Sequence, residues 1–457
     1  ELLNDNEVHG VYLETDAKRY YPYGSLAAHV IGFVGTDNTG LYGLEAQYEE
    51  ELQGQTGLVV SAKDNGGNAL PYEYEQYYAS HNGDDLVLTL DTNVQYYLEK
   101  YVKEMADQFE AANGAPGIVM DVKTGGVLGM VSYPNYDLNN YSEVSDARLK
   151  AAIEDGSASL ADQQLRQWRN KALNDTYEPG STFKPCTAVA ALESGVTTTT
   201  ETIFDPGYWK YPSATWENKT NCWKRSGHGK MNVTSAITNS CNTYFMEMGY
   251  RMGLDTLNEY YSALGLGEPT GIEVGESTGR QAVNESGQDQ APWAAFGQAN
   301  QEYTPLQLAN YIATLVSGGK HYPAHLLKSV KSYDNSEIIA TGDTEPLNTL
   351  NISDSTLQAV KKGMLGYTTN GGSVAGPFQN CVVSAGAKTG TAQIGGSMKN
   401  GVFVAFAPYD EPEIAVALVL EKADAGAVLA TTAVDIINAY FDREDTASIL
   451  PENQLIP

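Results

Sequence analysis

The sequence predicts an α+β protein in which a sheet flanked by helices is joined to a helical subdomain and a smaller forward unit. Three observations predict it. Short apolar runs pair across tight turns at two distant places, Gly117 to Val122 with Val127 to Ser132, and Val402 to Ala407 with Ile414 to Glu421. Each pair has a helical pattern beside it. Val94, Tyr97, Leu98, Tyr101, Val102, Met105 and Phe109 keep 3-and-4 spacing before the first pair, and Val428, Leu429, Ile436, Ile437, Tyr440 and Phe441 form a closing helix after the second. A helix at each end on antiparallel strands is the layer arrangement of an α+β sheet domain, and the polar helical middle supplies the subdomain.

At 457 residues the chain exceeds one ordinary core, so two units are expected, 1–84 and 85–457. In the first, the run from Arg19 to Gly35 mixes aromatic, turn and β-branched residues, followed by Gly43-Leu44-Glu45, Tyr48, Leu52-Gln53-Gly54 and Gly57. That composition suits a small mixed module with tight turns. Arg19 and Glu45 either pair across it or are ordinary surface charge, and Asn65-Gly66-Gly67-Asn68 reads as a loop tip. The second unit opens on a strand at Leu86 to Leu90, after which Asp91-Thr92-Asn93 offers helix caps. Lys123-Thr124-Gly125-Gly126 is the turn of the first strand pair.

Composition excludes some functions. With 28 basic against 57 acidic residues the net charge is −29, which argues against nucleic acid or an anionic membrane surface as partner. The 45 glycines and 30 tyrosines suit turns and half-buried β surfaces better than a helical bundle. Cys186, Cys222, Cys241 and Cys381 show no paired metal-ligand spacing and are too few for a disulfide scaffold, so they read as small buried residues, with no metal and no cofactor expected. No apolar run approaches the ~20 residues that span a bilayer. The longest, Ile414 to Leu420, is strand-length, and Glu1 opens no signal-like segment.

The chemistry centres on Tyr177-Glu178-Pro179-Gly180-Ser181-Thr182-Phe183-Lys184-Pro185. Glu178-Pro179-Gly180 is turn chemistry. The small apolar run Cys186 to Leu192 suits a buried helix, and Pro185 is harmless in a first turn whose N–H groups lack intrahelical partners. The helix therefore begins at or just after Ser181, with Lys184 three residues on and on the same face. A hydroxyl beside an amine at such a place is a nucleophile with a possible base. Alone, Ser-x-x-Lys is weak; a capped helix with a solvated lysine looks the same.

Two later stretches change the weighing. Ser240-Cys241-Asn242 lies in a Thr-Asn-Ser-Cys-Asn-Thr-Tyr-Phe run, and Lys388-Thr389-Gly390-Thr391 follows the β-prone Cys381-Val382-Val383, at the end of a strand of the sheet. Ser-x-x-Lys, Ser-x-Asn and Lys-Thr-Gly in this order are the signature of penicillin-binding proteins and class A β-lactamases. On these motifs, and along nearly its whole length, the chain resembles a class B penicillin-binding protein.

The resemblance implies a penicillin-binding/serine β-lactamase-like transpeptidase domain on a pedestal, or dimerisation-type, domain at 1–84. The pedestal looks incomplete, because an Arg-Gly-x-Ile-x-Asp-Arg-like segment is missing. It also implies a membrane anchor before Glu1, so that this is the outer portion of a protein on the extracytoplasmic face of the bacterial membrane. The implied substrate is a peptidoglycan stem peptide ending in D-Ala-D-Ala. Ser181 would attack the penultimate carbonyl with Lys184 as base, and the backbone N–H groups of Ser181 and Thr391 would hold the oxyanion. Ser240 and Asn242 would relay protons and hold the substrate amide. Lys388 and Thr389 would bind the terminal carboxylate, with Gly390 letting the substrate lie close to the strand. Implied partners are stem peptides, β-lactam antibiotics, a glycosyltransferase or other polymerase, and morphogenesis membrane proteins.

Weaker signals receive structural readings. Gly227-His228-Gly229 matches a turn in relatives and reads as a loop, since no Asp or Glu lies at ligand spacing. Trp216, Trp223 and Tyr211 either line the cleft or pack in loops. Gly297-Gln298 and Thr304-Pro305-Leu306-Gln307-Leu308 resemble a supporting element. A cysteine hydrolase built on Cys241, His228 and Asn242 would leave the Ser181 and Lys388 motifs as coincidences. A D,D-carboxypeptidase or β-lactamase shares the motifs, and so does a non-catalytic penicillin-binding sensor. The forward module weighs against a β-lactamase, and the complete motif set against a dead scaffold. Gly265-Leu266-Gly267 through Gly271-Ile272 and Glu276, with no extra C-terminal domains, leans towards an elongation enzyme over a division enzyme.

Overall fold

The computed structural model describes residues 17–60, 76–111, 113–212, 219–285, 289–369, 371–395, 398–422 and 424–442. In chain order the elements that build the site are α1 (Thr92–Gln108), β1 (Ala115–Asp121), β2 (Val127–Tyr133), α2 (Lys184–Glu193), α3 (Asn242–Ala263), α4 (Pro305–Val316), α5 (Asp354–Thr368), β3 (Gly386–Gly395), β4 (Met398–Ala407), β5 (Ile414–Leu420) and α6 (Leu429–Phe441). The five strands form one antiparallel sheet in the order β3-β4-β5-β1-β2. The two strand pairs expected from sequence are thus one sheet, joined where β5 meets β1 through Ile414↔Asp121 to Leu418↔Gly117.

Side-chain alternation divides this sheet between two cores. Phe403, Ala405, Val416 and Leu418 point into one with Leu98, Val102 and Ile437, which α1 and α6 supply. Val402, Val404, Phe406, Ala417 and Val419 point into the other with Phe183, Val189, Leu308 and Ile312 from the helical subdomain. Both faces are covered, so β5 is buried at every position and reads as a continuous apolar run. Asp91 caps α1, its carboxylate accepting from the Asn93 and Val94 N–H groups at 3.0 and 3.1 Å. A reciprocal Thr304–Gln307 capping box starts α4.

The forward unit docks by aromatic packing and buried polar contacts. Phe33 stacks on Tyr141 at 4.0 Å between ring centroids and also meets Tyr42 and Trp168. Arg19 and Glu45 do pair, at 2.8 Å. Glu99 on α1 accepts from the Ala27 N–H and the Gln95 amide at 2.7 Å and from the Asn135 amide at 3.0 Å. The strand Asp85–Leu88 pairs with Leu327–Lys331. The Asn65–Asn68 loop and Trp216 lie outside the described residues.

Two expectations need correction. Cys381-Val382-Val383 is loop, not strand: it follows the short Ala375–Phe378 helix, and Val382 is 55% exposed. The Lys388 motif does not end a strand but sits near the start of β3, a ten-residue strand at the sheet's edge. Among the described residues, no helix is long and apolar enough to cross a membrane.

Candidate active site

The turn at Glu178-Pro179-Gly180 delivers Ser181 into a single 3₁₀ turn, Gly180–Phe183, that runs directly into α2. Two close backbone approaches fix this turn. Gly180 has φ 54° and donates its N–H to Gly297 O at 3.0 Å. A Cβ on Gly297 would lie 1.8 Å from Gly180 O, and one on Gly390 would lie 2.2 Å from Pro179 O. The supporting element and the third motif are therefore pressed against the loop that carries Ser181. Tyr311 on α4 donates its hydroxyl to Thr182 O, and Thr187 donates to Ala295 O at 2.7 Å.

Lys184 joins the first motif to the second. It is fully buried, and its Nζ lies 2.7 Å from Ser240 O, 2.7 Å from Asn242 Oδ1 and 3.0 Å from Ser240 Oγ. Burial, reinforced by the nearby Lys388 charge, pushes its pKa well below the usual lysine range. The carbonyl and the amide oxygen can only accept. The Ser240 hydroxyl oxygen stands as a third acceptor for the same amine. Ser240 holds φ 50°, a left-handed conformation that a serine rarely adopts, between the Val233–Thr238 helix and α3.

The third motif lies on β3. Lys388 is also buried, which pulls its pKa down to about 7. Its Nζ donates to Thr389 O at 3.1 Å and rests 4.1 Å from the centroid of the Tyr367 ring. Thr389 Oγ1 lies 2.5 Å from the Tyr367 hydroxyl, and Thr391 Oγ1 accepts from the Gly426 N–H at 3.3 Å. The edge position of β3 leaves a backbone flank to which an extended peptide can add as a strand. Ser181, Lys184, Ser240, Asn242, Lys388, Thr389, Gly390 and Thr391 thus all belong to three adjoining segments. Sequence reasoning missed Tyr367, which lies outside every motif. It left open the place of Trp223, whose indole N–H lies 3.0 Å from Ser240 O.

A second cluster adjoins the first. Asp205, Cys222, His228 and Cys241 each present a donor atom, and these atoms all lie within 4.8 Å of one another. The His228 ring nitrogen Nδ1 is 2.6 Å from Asp205 Oδ2, and Cys241 Sγ is 3.3 Å from the same oxygen. Two thiols, an imidazole and a carboxylate suit a four-coordinate Zn²⁺ site. His228 does lie in a loop, but the fold supplies the acidic partner that the sequence spacing lacks: Asp205 arrives from a strand 23 residues earlier. Cys222 and Cys241 are buried as the sequence reading has it, and together with Asp205 and His228 they could also hold an ion, which the sequence reading did not foresee. Because Cys241 is the middle residue of Ser240-Cys241-Asn242 and caps α3, a metal here would brace the second motif. Tyr211 packs with Trp209 and Trp293, as loop packing requires.

Comparison with known proteins agrees with this geometry. Residues 117–438 match the family described as the penicillin binding protein transpeptidase domain, and residues 3–88 match the penicillin-binding protein dimerisation domain. The chain is 31% identical over 502 aligned residues to the peptidoglycan D,D-transpeptidase MrdA of Escherichia coli K12, covering 99% of this chain and 76% of that protein. It is 32% identical over 437 residues to the stage V sporulation protein D of Bacillus subtilis, covering 91% of this chain and 62% of that protein. The structure aligns with Pseudomonas aeruginosa PBP2 in complex with WCK 5153 at TM-score 0.74 and 27% identity, covering 97% and 96% of the two chains. It aligns with PBP2 of Helicobacter pylori in its complex with MreC at TM-score 0.75 and 25% identity, covering 93% and 79%.

Proposed function

The chain belongs to the class B penicillin-binding proteins, and from that premise we propose that it is a serine D,D-transpeptidase of the elongation type that cross-links peptidoglycan stem peptides ending in D-Ala-D-Ala. The observation that carries this reading is the buried Lys184 amine, held among Ser240 O, Ser240 Oγ and Asn242 Oδ1 one helical turn from Ser181. A lysine with its proton affinity lowered by burial is suited to take the Ser181 proton.

In the first half-reaction, Ser181 Oγ bonds to the penultimate D-Ala carbonyl carbon and its proton passes to Lys184 Nζ. The Ser181 and Thr391 N–H groups are the oxyanion donors. The C–N bond to the last D-Ala then breaks, and the leaving amine takes a proton relayed from Lys184 through the Ser240 hydroxyl. In the second half, an acceptor amine attacks the acyl-enzyme carbonyl carbon and loses its proton through Ser240 to Lys184. Ser181 Oγ leaves as its bond to that carbon breaks, taking the proton back from Lys184. Lys388 and Thr389 meet the terminal carboxylate, Asn242 holds the substrate amide, and Gly390 keeps the strand open to it. A β-lactam enters the same sequence and stops at the acyl-enzyme.

Residues 1–84 form the pedestal and 85–457 the catalytic unit. The protein acts on the extracytoplasmic face of the bacterial membrane, with a glycan polymerase and a morphogenesis protein as partners. The H. pylori relative solved with MreC supports the latter partner class. The test is mass analysis of products from a D-Ala-D-Ala donor peptide and an acceptor amine. Cross-linked product with released D-Ala is expected, and free acid alone would make the protein a carboxypeptidase.

A further inference from the structure

Tyr367 touches both side chains that face the substrate carboxylate in the proposed reaction. It sits on the last turn of α5, which is tied to the residue just before β3 by the Thr368 hydroxyl donating to Ala385 O at 2.6 Å. The residue is 3% exposed. Its ring face lies 4.1 Å from Lys388 Nζ, and its hydroxyl lies 2.5 Å from Thr389 Oγ1. For packing alone a phenylalanine would serve, and the buried hydroxyl would then be a liability without its partner.

We infer that Tyr367 is a positioning residue for carboxylate recognition: its ring holds the Lys388 ammonium in a resting place and its hydroxyl aims Thr389 at the substrate. The hydroxyl geometry supplies the aim. A threonine hydroxyl that spends its proton on Tyr367 presents only lone pairs to an incoming carboxylate and repels it. When Tyr367 donates instead, Thr389 keeps its proton for the carboxylate. Burial raises the phenol pKa, so Tyr367 holds that proton at neutral pH, and the Ser373 hydroxyl is a second hydrogen-bond neighbour. The ring works on the other partner. An aromatic face offers a buried ammonium a weak, non-competing seat, from which a substrate carboxylate draws it by a stronger charge-assisted bond.

The inference rests on the reading of Lys388 and Thr389 as the carboxylate site, and its test separates the two. Second-order acylation rates are measured for a donor depsipeptide ending in a free carboxylate and for the same donor capped as its methyl amide. The ratio of the two rates reports carboxylate recognition alone. Tyr367→Phe should lower that ratio about tenfold, equivalent to about 1.4 kcal/mol, while Tyr367→Leu should lower it further because the seat for Lys388 is also lost. Thr389→Val should lower it as well. A wild-type ratio in Tyr367→Phe beside a lowered ratio in Thr389→Val would overturn the inference and leave the carboxylate site standing. Equal losses for both donors, which keep the ratio, would make Tyr367 a packing residue and overturn it too. A wild-type ratio in Thr389→Val would remove the underlying reading itself.

Discussion

Gly297→Ala should disable Ser181 without touching any catalytic side chain. Gly297 has φ 84°, and a Cβ there would lie 1.8 Å from Gly180 O, where real Cβ atoms essentially never come under 3.0 Å. The difference, 3.0 − 1.8 Å, is a shift of at least 1.2 Å that backbone on one side or the other must make. The atom displaced belongs to the residue before Ser181, and the Gly180 N–H to Gly297 O bond of 3.0 Å is stretched with it. A displacement of about 1 Å at a reacting group can cost on the order of 10²-fold in rate. The positive φ adds about 1–2 kcal/mol of strain. Gly318→Ala separates the two effects: Gly318 has φ 82° with nothing within 4 Å of its Cβ position, so it carries the strain alone. Acylation by a fluorescent penicillin should fall about 10²-fold in Gly297→Ala and stay near wild type in Gly318→Ala, while Gly318→Ala loses only the stability due to strain and Gly297→Ala loses more. If Gly297→Ala acylates within threefold of wild type while folded, the supporting element does not place the nucleophile.

Removing the Lys388 charge by Lys388→Ala should raise the pKa of Lys184, so the acid limb of acylation by the methyl-amide donor moves to higher pH. The move is smaller than the part due to burial, which is the larger cause, and an unchanged limb would mean that Lys388 serves the carboxylate alone. Glu99 is raised to about 7 by burial, above its unfolded value, so the folded state binds more protons between about pH 4.5 and 7 and stability falls as pH rises through that window. Glu99→Gln should flatten that slope in denaturant titrations, and a slope that persists would place its origin elsewhere. Protein expressed with zinc should carry about one equivalent by elemental analysis, and Asp205→Ala or His228→Ala should lower it. Wild-type protein at background metal would rule the cluster out as a zinc site.

The elements most legible in the sequence were those whose signal is local. The Asp91 cap and the 3-and-4 spacing after it give α1 within a residue or two, and the Pro185 argument puts the helix start at Ser181, where the 3₁₀ turn leads into α2. The three motifs are runs of at most four residues, so their meeting was readable from the resemblance. What was not readable depends on long-range pairing. Asp205, Cys222, His228 and Cys241 come from one short strand, two loop positions and a helix cap, with no spacing that a ligand pattern would flag. Tyr367 lies in an ordinary amphipathic helix, and its role follows only from where α5 packs on β3. Cys381-Val382-Val383 shows the opposite failure, where β propensity yields to tertiary context.

The central claim is a covalent intermediate on Ser181, and intact-protein mass spectrometry after brief exposure to a penicillin tests it most directly. Wild-type protein should gain the mass of a single penicilloyl group, carried on the proteolytic peptide that contains Ser181, while Ser181→Ala, which leaves the Lys184 bonds to Ser240 and Asn242 in place, should gain none. A penicilloyl adduct of equal yield in Ser181→Ala, or one mapped to another residue in the wild type, would contradict the account.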